Sequence, residues 1–254
     1  MTQLLDHLAA LTNAKTDNEL WNYHVGLMKS YGFDRVLYGY TRYRTTHGLG
    51  DPQDWVILTN HGPEFMESFF TDTHYDHAPM LRWALNNNGA CSWRWMEELA
   101  QTGNLTPGEM NVLQINQKHE VTAGYTISFR SVSERSKGAI GLVGSPRMNQ
   151  DQVEEVWAKH GDELIVLNNI FHLKLLTLPY SGARPLTKRQ REVLQWVGDG
   201  KTTQDIAILL ELTPATVEKH LRLAREALDV ETTAQAVLKA AFYNQMFVLE
   251  DVDN

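Results

Sequence analysis

The stretch LTKRQREVLQWVGDGKTTQDIAILLELTPATVEKHLRLAREAL, residues 186 to 228, decides the fold of the C-terminal part of the chain. Three helix start signals follow one another in it, each a threonine before an apolar periodic segment: Thr187, Thr202 or Thr203, and Thr213. Gln190 completes a capping box with Thr187, and Pro214 occupies the first helical position of the third segment. Short helices in this order, joined by tight turns, predict a helix-turn-helix.

Apolar residues at helical spacing predict the buried faces of the second and third helices: Ile206, Ala207, Leu209 and Leu210 on the second, and Val217, Leu221, Ala224 and Leu228 on the third. The outer face of the third helix has small residues near its start and cations behind them, which is typical of a recognition helix in a DNA major groove. A small helical bundle with solvated Lys and Arg side chains is the alternative. The candidate DNA contacts are Thr213, Thr216, Lys219, Arg222 and Arg225, with Lys188 and Lys201 reaching phosphates from neighbouring elements.

The net charge of −8 at pH 7 is unusual for a protein that binds DNA, but the charges are unevenly distributed. Residues 184 to 225 hold eight Lys and Arg against five Asp and Glu, whereas residues 1 to 183 hold 14 against 20. Because affinity for DNA depends on the local field at the docking face, a basic segment on an acidic protein is sufficient.

Residues 184 to 247 resemble the LuxR-type (GerE-like) DNA-binding domain. The matching residues are Leu186, Thr187, Arg191, Glu192, Val193, Leu194, Gly200, Lys201, Thr202, Ile206, Ala207, Thr213, Thr216, Val217, His220, Leu228, Ala236 and Val237. Ala227 and Thr233 depart from the Lys and Arg that are usual in the family. The resemblance implies an all-α four-helix domain that binds operator DNA as a homodimer, with RNA polymerase as a further partner.

Composition favours a two-domain cytoplasmic protein. The 254 residues are 43% hydrophobic, which suffices for two cores. Cys91 is the only cysteine, so a disulfide within the chain is impossible and a reducing compartment is expected. The sequence has no apolar run near the ~20 residues that span a bilayer, and its N-terminus lacks the pattern of a signal peptide, so we expect neither membrane insertion nor export.

The N-terminal part alternates helical and strand patterns. Two helices precede two strands, RVLYGYTRY and WVILTNH. Three further helices are predicted to begin at Pro63, Pro79 and Pro107, with a short extended segment around Trp93 among them. Two more strands and a long helix from about residue 150 to 176 follow. This order predicts an antiparallel sheet covered by helices on both faces, an α/β/α sandwich, so the whole chain is of the α+β class.

We expect domains at 1–178 and 186–254, joined by the linker PYSGARP at 179–185. The broad apolar stripe of the long helix favours burial against a second subunit.

Aromatic residues concentrate between positions 65 and 95, which is typical of either a core or an enclosed pocket for an amphiphilic small molecule. The candidate ligand contacts are Tyr40, His61, Phe65, Phe69, Asp76, Pro79, Trp83, Trp93 and Tyr125, and Thr126 is a further candidate for a polar contact.

This part is similar to the autoinducer-binding domain of the LuxR family, which implies a quorum-sensing regulator that responds to a small signal, an acyl-homoserine lactone or another amphiphile. Pro79, Trp93 and Gly124 match the family's residues in order. Phe65 stands where the family has the Trp that bonds the lactone carbonyl, and Ala78 where it has the Asp that accepts from the ligand amide. Asp76 lies two residues away from that position. We therefore expect that acyl-homoserine lactones are not recognised in the family's usual manner.

Two other hypotheses remain open. In one, the protein is a ligand-independent DNA-binding regulator whose large side chains fill the pocket. In the other, His74, Asp76, His77 and Cys91 form a metal or enzyme site, although surface histidines are the simpler explanation of this pattern and the one that we favour. We expect no catalytic activity, no cofactor and no metal.

Overall fold

The structure, a computed structural model, describes residues 2–45, 48–103, 105–179 and 185–246, with the backbone alone at residues 2, 72 and 73. The chain forms two compact units, Met1–Leu176 (unit 1) and Thr177–Asn254 (unit 2). Residues 180–184 of the predicted linker lie outside the described residues. No helix in the described ranges combines the length and the apolarity required to cross a lipid bilayer.

Unit 1 contains seven helices and five strands in its described part. The helices are α1 (Thr2–Asn13), α2 (Asp17–Ser30), α3 (Pro63–Phe70), α4 (Pro79–Asn86), α5 (Arg94–Gln101), α6 (Pro107–Lys118) and α7 (Gln150–Leu175). The strands are β1 (Phe33–Thr41), β2 (Val56–Thr59), β3 (Gly89–Ser92), β4 (Gly124–Ser128) and β5 (Lys137–Gly144). Short 3-10 helices at Pro52–Asp54 and Thr71–His77 connect some of these elements.

The five strands form one antiparallel sheet in the order β2-β1-β5-β4-β3. Helices α2 and α7 pack on one face, with α1 against α7, and α4 packs on the other face, where α3 and α6 contact each other and the 3-10 helix. The predicted α/β/α sandwich and the antiparallel pairing of the first two strands are confirmed.

Local capping signals explain where several of these helices begin. Thr16 accepts a hydrogen bond from the backbone N–H of Glu19 at the start of α2, and Thr106 with Glu109 forms a full capping box before Pro107. Helix α5, which the sequence analysis did not predict, lacks such a signal because its N-cap residue is Trp93 and no side chain caps it. The sequence pattern for α5 was therefore too weak to identify a helix.

The sheet face that packs on α7 is a continuous apolar core. Val36 and Tyr38 of β1, Ile140 and Leu142 of β5, and Phe171 of α7 are almost completely buried there. Alternation along the strands places the residues between them, such as Leu37 and Gly141, on the opposite face. The face that carries the cavity is thus determined by strand register.

Between residues 185 and 246, unit 2 is a bundle of four helices: α8 (Lys188–Gly198), α9 (Thr203–Leu209), α10 (Pro214–Leu228) and α11 (Thr233–Phe242). Every one of them has a threonine N-cap whose side chain accepts from a backbone N–H three residues on: Thr187, Thr202, Thr213 and Thr232. Glu211 adopts a positive φ of 55° in the tight turn between α9 and α10.

The predicted buried stripe of α10 is confirmed, since Val217, Leu221, Ala224 and Leu228 are buried. On α9 the prediction was wrong at one position: Ile206 and Ala207 are buried, but Leu209 is 49% exposed. Leu209 is the last residue of this seven-residue helix. A helix this short turns only one narrow stripe toward the core, so Leu209 falls outside it.

Candidate ligand cavity and DNA-binding helix

A cavity of about 180 Å³ lies in unit 1 on the sheet face opposite α7. Its walls come from the sheet, from α3, α4 and α6, and from the segments around them, and they are predominantly apolar and aromatic. Since a water-sized group needs roughly 10 to 15 Å³ in such a measure, the cavity has room for on the order of 12 to 18 non-hydrogen atoms. This is the size of a small amphiphile.

Small residues on the central strands create the floor of the cavity. Gly39 of β1 lies opposite Ala139 of β5, and Leu37 lies opposite Gly141, and all four line the cavity. A Cβ atom added to Gly141 would have its nearest neighbours at 3.9 Å, so this space is open rather than closely packed. The cavity exists here because side chains of ordinary size are absent from these positions.

Trp93 forms a fixed part of the aromatic wall. Its indole N–H donates to Thr126 Oγ1 at 2.9 Å, and its ring packs against Gly124, where a Cβ atom would lie 3.1 Å from the ring. The same Cβ would lie 2.3 Å from the carbonyl oxygen of Leu142. Gly124 is therefore required for the close approach of Trp93 to the sheet.

Several polar groups of the cavity wall already have partners within the protein. Thr41 Oγ1 and Trp55 Nε1 both donate to the carbonyl oxygen of Leu49. Lys137 Nζ donates to the carbonyl oxygens of Asn87 and Phe129 and to Asn88 Oδ1, and burial lowers the pKa of its ammonium. These groups hold the wall together.

The side chains of His61 and Asn116 differ from those of Thr41, Trp55 and Lys137 in their hydrogen bonding. His61 is 8% exposed, and its ring stacks on Phe65 with centroids 4.5 Å apart. Its backbone N–H donates to Thr59 Oγ1, but its ring has no hydrogen bond among the described residues. Burial, followed by the charge of Arg35, lowers the pKa of His61 to about 4. Oδ1 of Asn116 is buried and has no partner in the described part of the chain. Both residues line the cavity.

The structure places five of the nine predicted ligand contacts with their side chains in the cavity region: His61, Phe65, Phe69, Pro79 and Trp93. Tyr40 borders the cavity, but its ring contacts His172 of α7 at 5.6 Å on the other face of the sheet. Thr126 also lines the cavity.

The placement expected for three residues is corrected, because they are absent from the cavity wall. Tyr125 alternates with Thr126 along β4, so its ring points to the α7 side and stacks on Trp157 at 3.8 Å. Asp76 is exposed in the 3-10 helix. Trp83 is partly buried and packs against the neighbouring cluster that contains Phe65 and Met80.

Asn116 and the small residues of the cavity floor were not among the ligand contacts predicted from the sequence. Asn116 lies four positions after the fully buried Val112 on α6, so it occupies the inward stripe of an amphipathic helix. A polar residue on such a stripe was the available signal. The floor could not be identified in the same way, because a glycine in a strand has no side chain that reveals which face it occupies.

The hypothesis of a metal or enzyme site gains no support from the described residues, in which no three His, Cys, Asp or Glu side chains could hold a metal ion together. Nε2 of His74 is hydrogen-bonded to Asn111 Nδ2 at 3.0 Å, and Nδ1 to the carbonyl oxygen of Ser68 at 2.9 Å. Burial raises the pKa of the Cys91 thiol to about 11, which is opposite to the shift of a reactive cysteine.

In unit 2, the outer face of α10 carries the predicted DNA contacts. Thr213 Oγ1 accepts from the backbone N–H of Thr216 at 3.2 Å, so both residues lie at the first turn of the helix. Lys219 and Arg222 are exposed further along, and Arg222 pairs with Glu226 at 2.5 Å. An exposed pair of this kind is weak and can exchange for a phosphate.

The remaining predicted cations occupy different environments. Arg225 is half-buried and donates to Thr233 Oγ1 at 2.9 Å, which joins α10 to α11. Lys188 and Lys201 are exposed at or near the starts of α8 and α9. Arg225 therefore has a structural contact in addition to any contact with DNA.

Comparison with protein-family models gives two matches along the chain. Residues 16–175 match the autoinducer binding domain, and residues 184–240 match bacterial regulatory proteins of the luxR family. Together these two segments include the cavity and the outer face of α10.

Similar proteins include the transcriptional activator protein ExpR of Dickeya dadantii, which is 23% identical over 222 residues, 83% of this chain and 84% of ExpR. The solved structure of SdiA in complex with octanoyl-rac-glycerol has a TM-score of 0.53 at 16% identity, over 98% of this chain and 97% of SdiA. The N-acylhomoserine lactone dependent factor CepR2 from Burkholderia cenocepacia has a TM-score of 0.52 at 17% identity, over 68% of this chain and 94% of CepR2. At these identities the two structures show a shared fold.

Proposed function

Because this chain belongs to the luxR family of bacterial regulatory proteins and carries their autoinducer binding domain, we propose that its cavity holds a small amphiphilic signal and that α10 reads an operator. The family membership confirms the resemblance inferred from sequence. The protein is a ligand-responsive, DNA-binding transcriptional regulator of the quorum-sensing type, a class of regulators rather than of enzymes.

The observation that carries the ligand site is the cavity itself. A ligand-independent regulator with a filled pocket would have no space of about 180 Å³ behind Phe65 and Trp93. The wall favours an uncharged amphiphile, since aromatic and aliphatic groups predominate. SdiA has been solved with octanoyl-rac-glycerol, and we take this compound as the first probe for the present chain.

The proposed functional arrangement is a homodimer on a site with two-fold symmetry, with residues 179–185 as the linker between a sensing and a DNA-binding domain. Val166 and Leu173 of α7 are 43% and 57% exposed, which supports a subunit contact along this helix. Cytoplasmic localisation and contact with RNA polymerase follow from the proposed role at a promoter.

The DNA assignment is tested by the salt dependence of operator binding. If four cations per subunit reach phosphates, a dimer neutralises about eight, and log K falls with log salt at a slope of roughly −7. Lys219→Ala with Arg222→Ala removes about half of these contacts, so the slope falls to about half. The control is Lys29→Ala with Lys159→Ala, which removes as many exposed cations from unit 1. Normal operator binding by the α10 double variant would exclude α10 as the reading helix.

Coupling between the two sites is tested by reciprocal titration. If octanoyl-rac-glycerol favours the DNA-competent state, it binds more tightly in the presence of operator by the same factor by which it improves operator binding. Calorimetry with and without operator measures both factors. Equal affinity for the probe in both titrations would show that it does not act through DNA binding.

A further inference from the structure

The cavity wall contains two polar side chains that do not belong to the hydrogen-bonded groups around Thr41, Trp55 and Lys137. The residues near Phe65 are apolar there, including Ala78, Val121 and Val143. His61 and Asn116 are polar. Asn116 Oδ1 is buried without a partner in the described part of the chain, and the His61 ring has no hydrogen bond among the described residues. A buried polar atom without a partner costs stability, so it is uncommon in a folded protein unless another molecule satisfies it.

The contacts of Phe65 relate the positions of His61 and Asn116 in the cavity wall. The ring of His61 stacks on Phe65 at 4.5 Å, and His119 meets the same ring edge-on at 5.6 Å. Asn116 lies three residues before His119 near the C-terminal end of α6, so the two residues share a face of this segment. Asn116 and His61 therefore both belong to the part of the cavity wall around Phe65.

The hydrogen-bonding capacity at this end is specific. The pKa of His61 is lowered to about 4, chiefly by burial, so at neutral pH its imidazole is uncharged, with one N–H donor and one acceptor nitrogen. Asn116 Oδ1 is an acceptor only. Two cations lie near enough to be considered, and both already have protein partners. Arg35, whose charge acts on His61, donates to the carbonyl oxygens of His119 and Glu120, and Lys137 donates to three protein oxygens.

We propose that His61 and Asn116 anchor the head group of the ligand, with the His61 imidazole donating to a carbonyl oxygen and Asn116 Oδ1 accepting from an adjacent N–H or O–H. The inference rests on the proposed ligand-binding function and deepens it. It defines the ligand class as uncharged and mostly apolar, with one hydrogen-bond donor beside one carbonyl. A carboxylate is disfavoured, because it has no donor for Asn116 Oδ1, and Arg35, the cation whose charge acts on His61, already donates to two backbone carbonyl oxygens.

The test pairs a change in the ligand with a change in the protein. The probes are N-cyclohexyloctanamide and cyclohexyl octanoate, which share the carbonyl and the apolar body and differ in the N–H, together with octanoate as the charged compound. Calorimetric titration of the full chain is expected to give binding of the amide roughly tenfold tighter than that of the ester, and no saturable binding of octanoate.

The two residues are expected to give different signatures. Asn116→Leu removes the acceptor for the N–H, so the preference for the amide over the ester disappears. His61→Phe keeps a ring on Phe65 but removes the donor to the carbonyl, so both probes bind roughly tenfold more weakly and the preference persists. The matched controls are His119→Phe, which alters the other ring on Phe65, and Gln117→Leu, the next residue of α6, which is exposed. Neither control changes affinity or preference.

The outcomes separate this inference from the function on which it rests. If the natural protein binds the probes and His61→Phe and Asn116→Leu bind them as the controls do, the anchor is wrong although the cavity is a ligand site. If octanoate binds as tightly as the amide, the assignment of an uncharged ligand is wrong. If no probe binds at all, both the anchor and the proposed sensing of a small amphiphile are overturned.

Discussion

Buried histidines on the two faces of the sheet in unit 1 differ in the hydrogen bonds of their rings. On the α7 face, His24 Nε2 donates to Asn168 Oδ1 at 3.1 Å, and His172 Nδ1 is hydrogen-bonded to the Tyr38 hydroxyl at 2.8 Å. Each of these rings also stacks on a phenylalanine. On the cavity face, His61 stacks on Phe65 in the same way, but its ring makes no hydrogen bond to any described residue.

This difference separates a structural histidine from a candidate binding histidine. All three rings are buried in apolar surroundings, and burial is the largest cause that lowers the pKa of each. Burial and pKa therefore do not distinguish them. What distinguishes His61 is its position: its ring lines the cavity and has no hydrogen bond among the described residues. His24, whose Nδ1 also lacks a partner in the described part of the chain, lies in the closed core, where no ligand can reach it.

The largest expected difference between the faces is in packing. Leu142→Ala on the α7 face removes a fully buried side chain and is expected to lower the free energy of unfolding by about 3 to 5 kcal/mol. Leu37→Ala removes the same group from the cavity wall, where fewer atoms contact it, and is expected to cost about 2 kcal/mol or less. Urea unfolding followed by tryptophan fluorescence reports on unit 1, which holds six of the seven tryptophans. Equal losses would show that the cavity face is packed as closely as the other.

The next largest effect is expected when polar groups are added to the cavity face and ligand affinity is compared with that of the natural protein. Phe65 and Ala78 are buried in the cavity wall and offer neither a side-chain donor nor an acceptor. We expect N-octanoyl-homoserine lactone to bind the natural protein more weakly than N-cyclohexyloctanamide, because Phe65 leaves its lactone carbonyl without a donor. Phe65→Trp with Ala78→Asp is expected to improve lactone binding by about a hundredfold, since the lactone carbonyl gains a donor and the amide N–H gains a charged acceptor. Nanomolar binding by the natural sequence, without gain in the double variant, would contradict this expectation.

Filling the floor of the cavity is expected to have a somewhat smaller effect on binding. Gly141→Leu fits sterically at its Cβ and occupies space that the ligand needs, so affinity for octanoyl-rac-glycerol falls on the order of tenfold. Gly26→Leu on α2 is the control, because a Cβ there meets nothing within 4 Å and the residue is exposed. Calorimetry on both variants measures the difference. Unchanged affinity in Gly141→Leu would place the ligand elsewhere.

The smallest expected effect is on the pH dependence of stability. Burial lowers the pKa of His61 and of His172 to about 4, from an ordinary value near 6.5. The unfolded chain binds protons that the folded chain does not, so stability is complete above about pH 6.5 and is lost as pH falls toward 4, by about 1 kcal/mol per pH unit for each histidine.

Substitution separates the two faces in the same experiment. His61→Phe removes the contribution of one histidine to the loss of stability with falling pH. At pH 7.5 its free energy of unfolding stays within about 0.5 kcal/mol of that of the natural protein, because no side-chain hydrogen bond is lost. His172→Phe removes a similar share but costs about 1 to 3 kcal/mol at pH 7.5, because the Tyr38 hydroxyl loses its partner. Urea midpoints between pH 7.5 and 4.5 give both quantities. An equal cost at pH 7.5 would show that His61 is a structural residue like His172.

Unit 2 shows how far sequence patterns reach when local interactions control the structure. The four threonine caps and the buried stripe of α10 depend on residues three or four apart, so they are readable from the sequence alone. The exception was Leu209, where helix length rather than periodicity decided exposure.

For unit 1, the sequence alone determined the helix and strand order, the antiparallel sheet and several aromatic residues of the cavity wall, because alternation and capping are local signals. Only the tertiary structure decided which strand face carries the cavity, that Tyr125 packs on Trp157, and that Asn116 lines the same cavity as His61 and Phe65. The physical reason is that a cavity is defined by space between distant segments: Gly39 and Gly141 are separated by about a hundred residues and become one floor only when β1 pairs with β5.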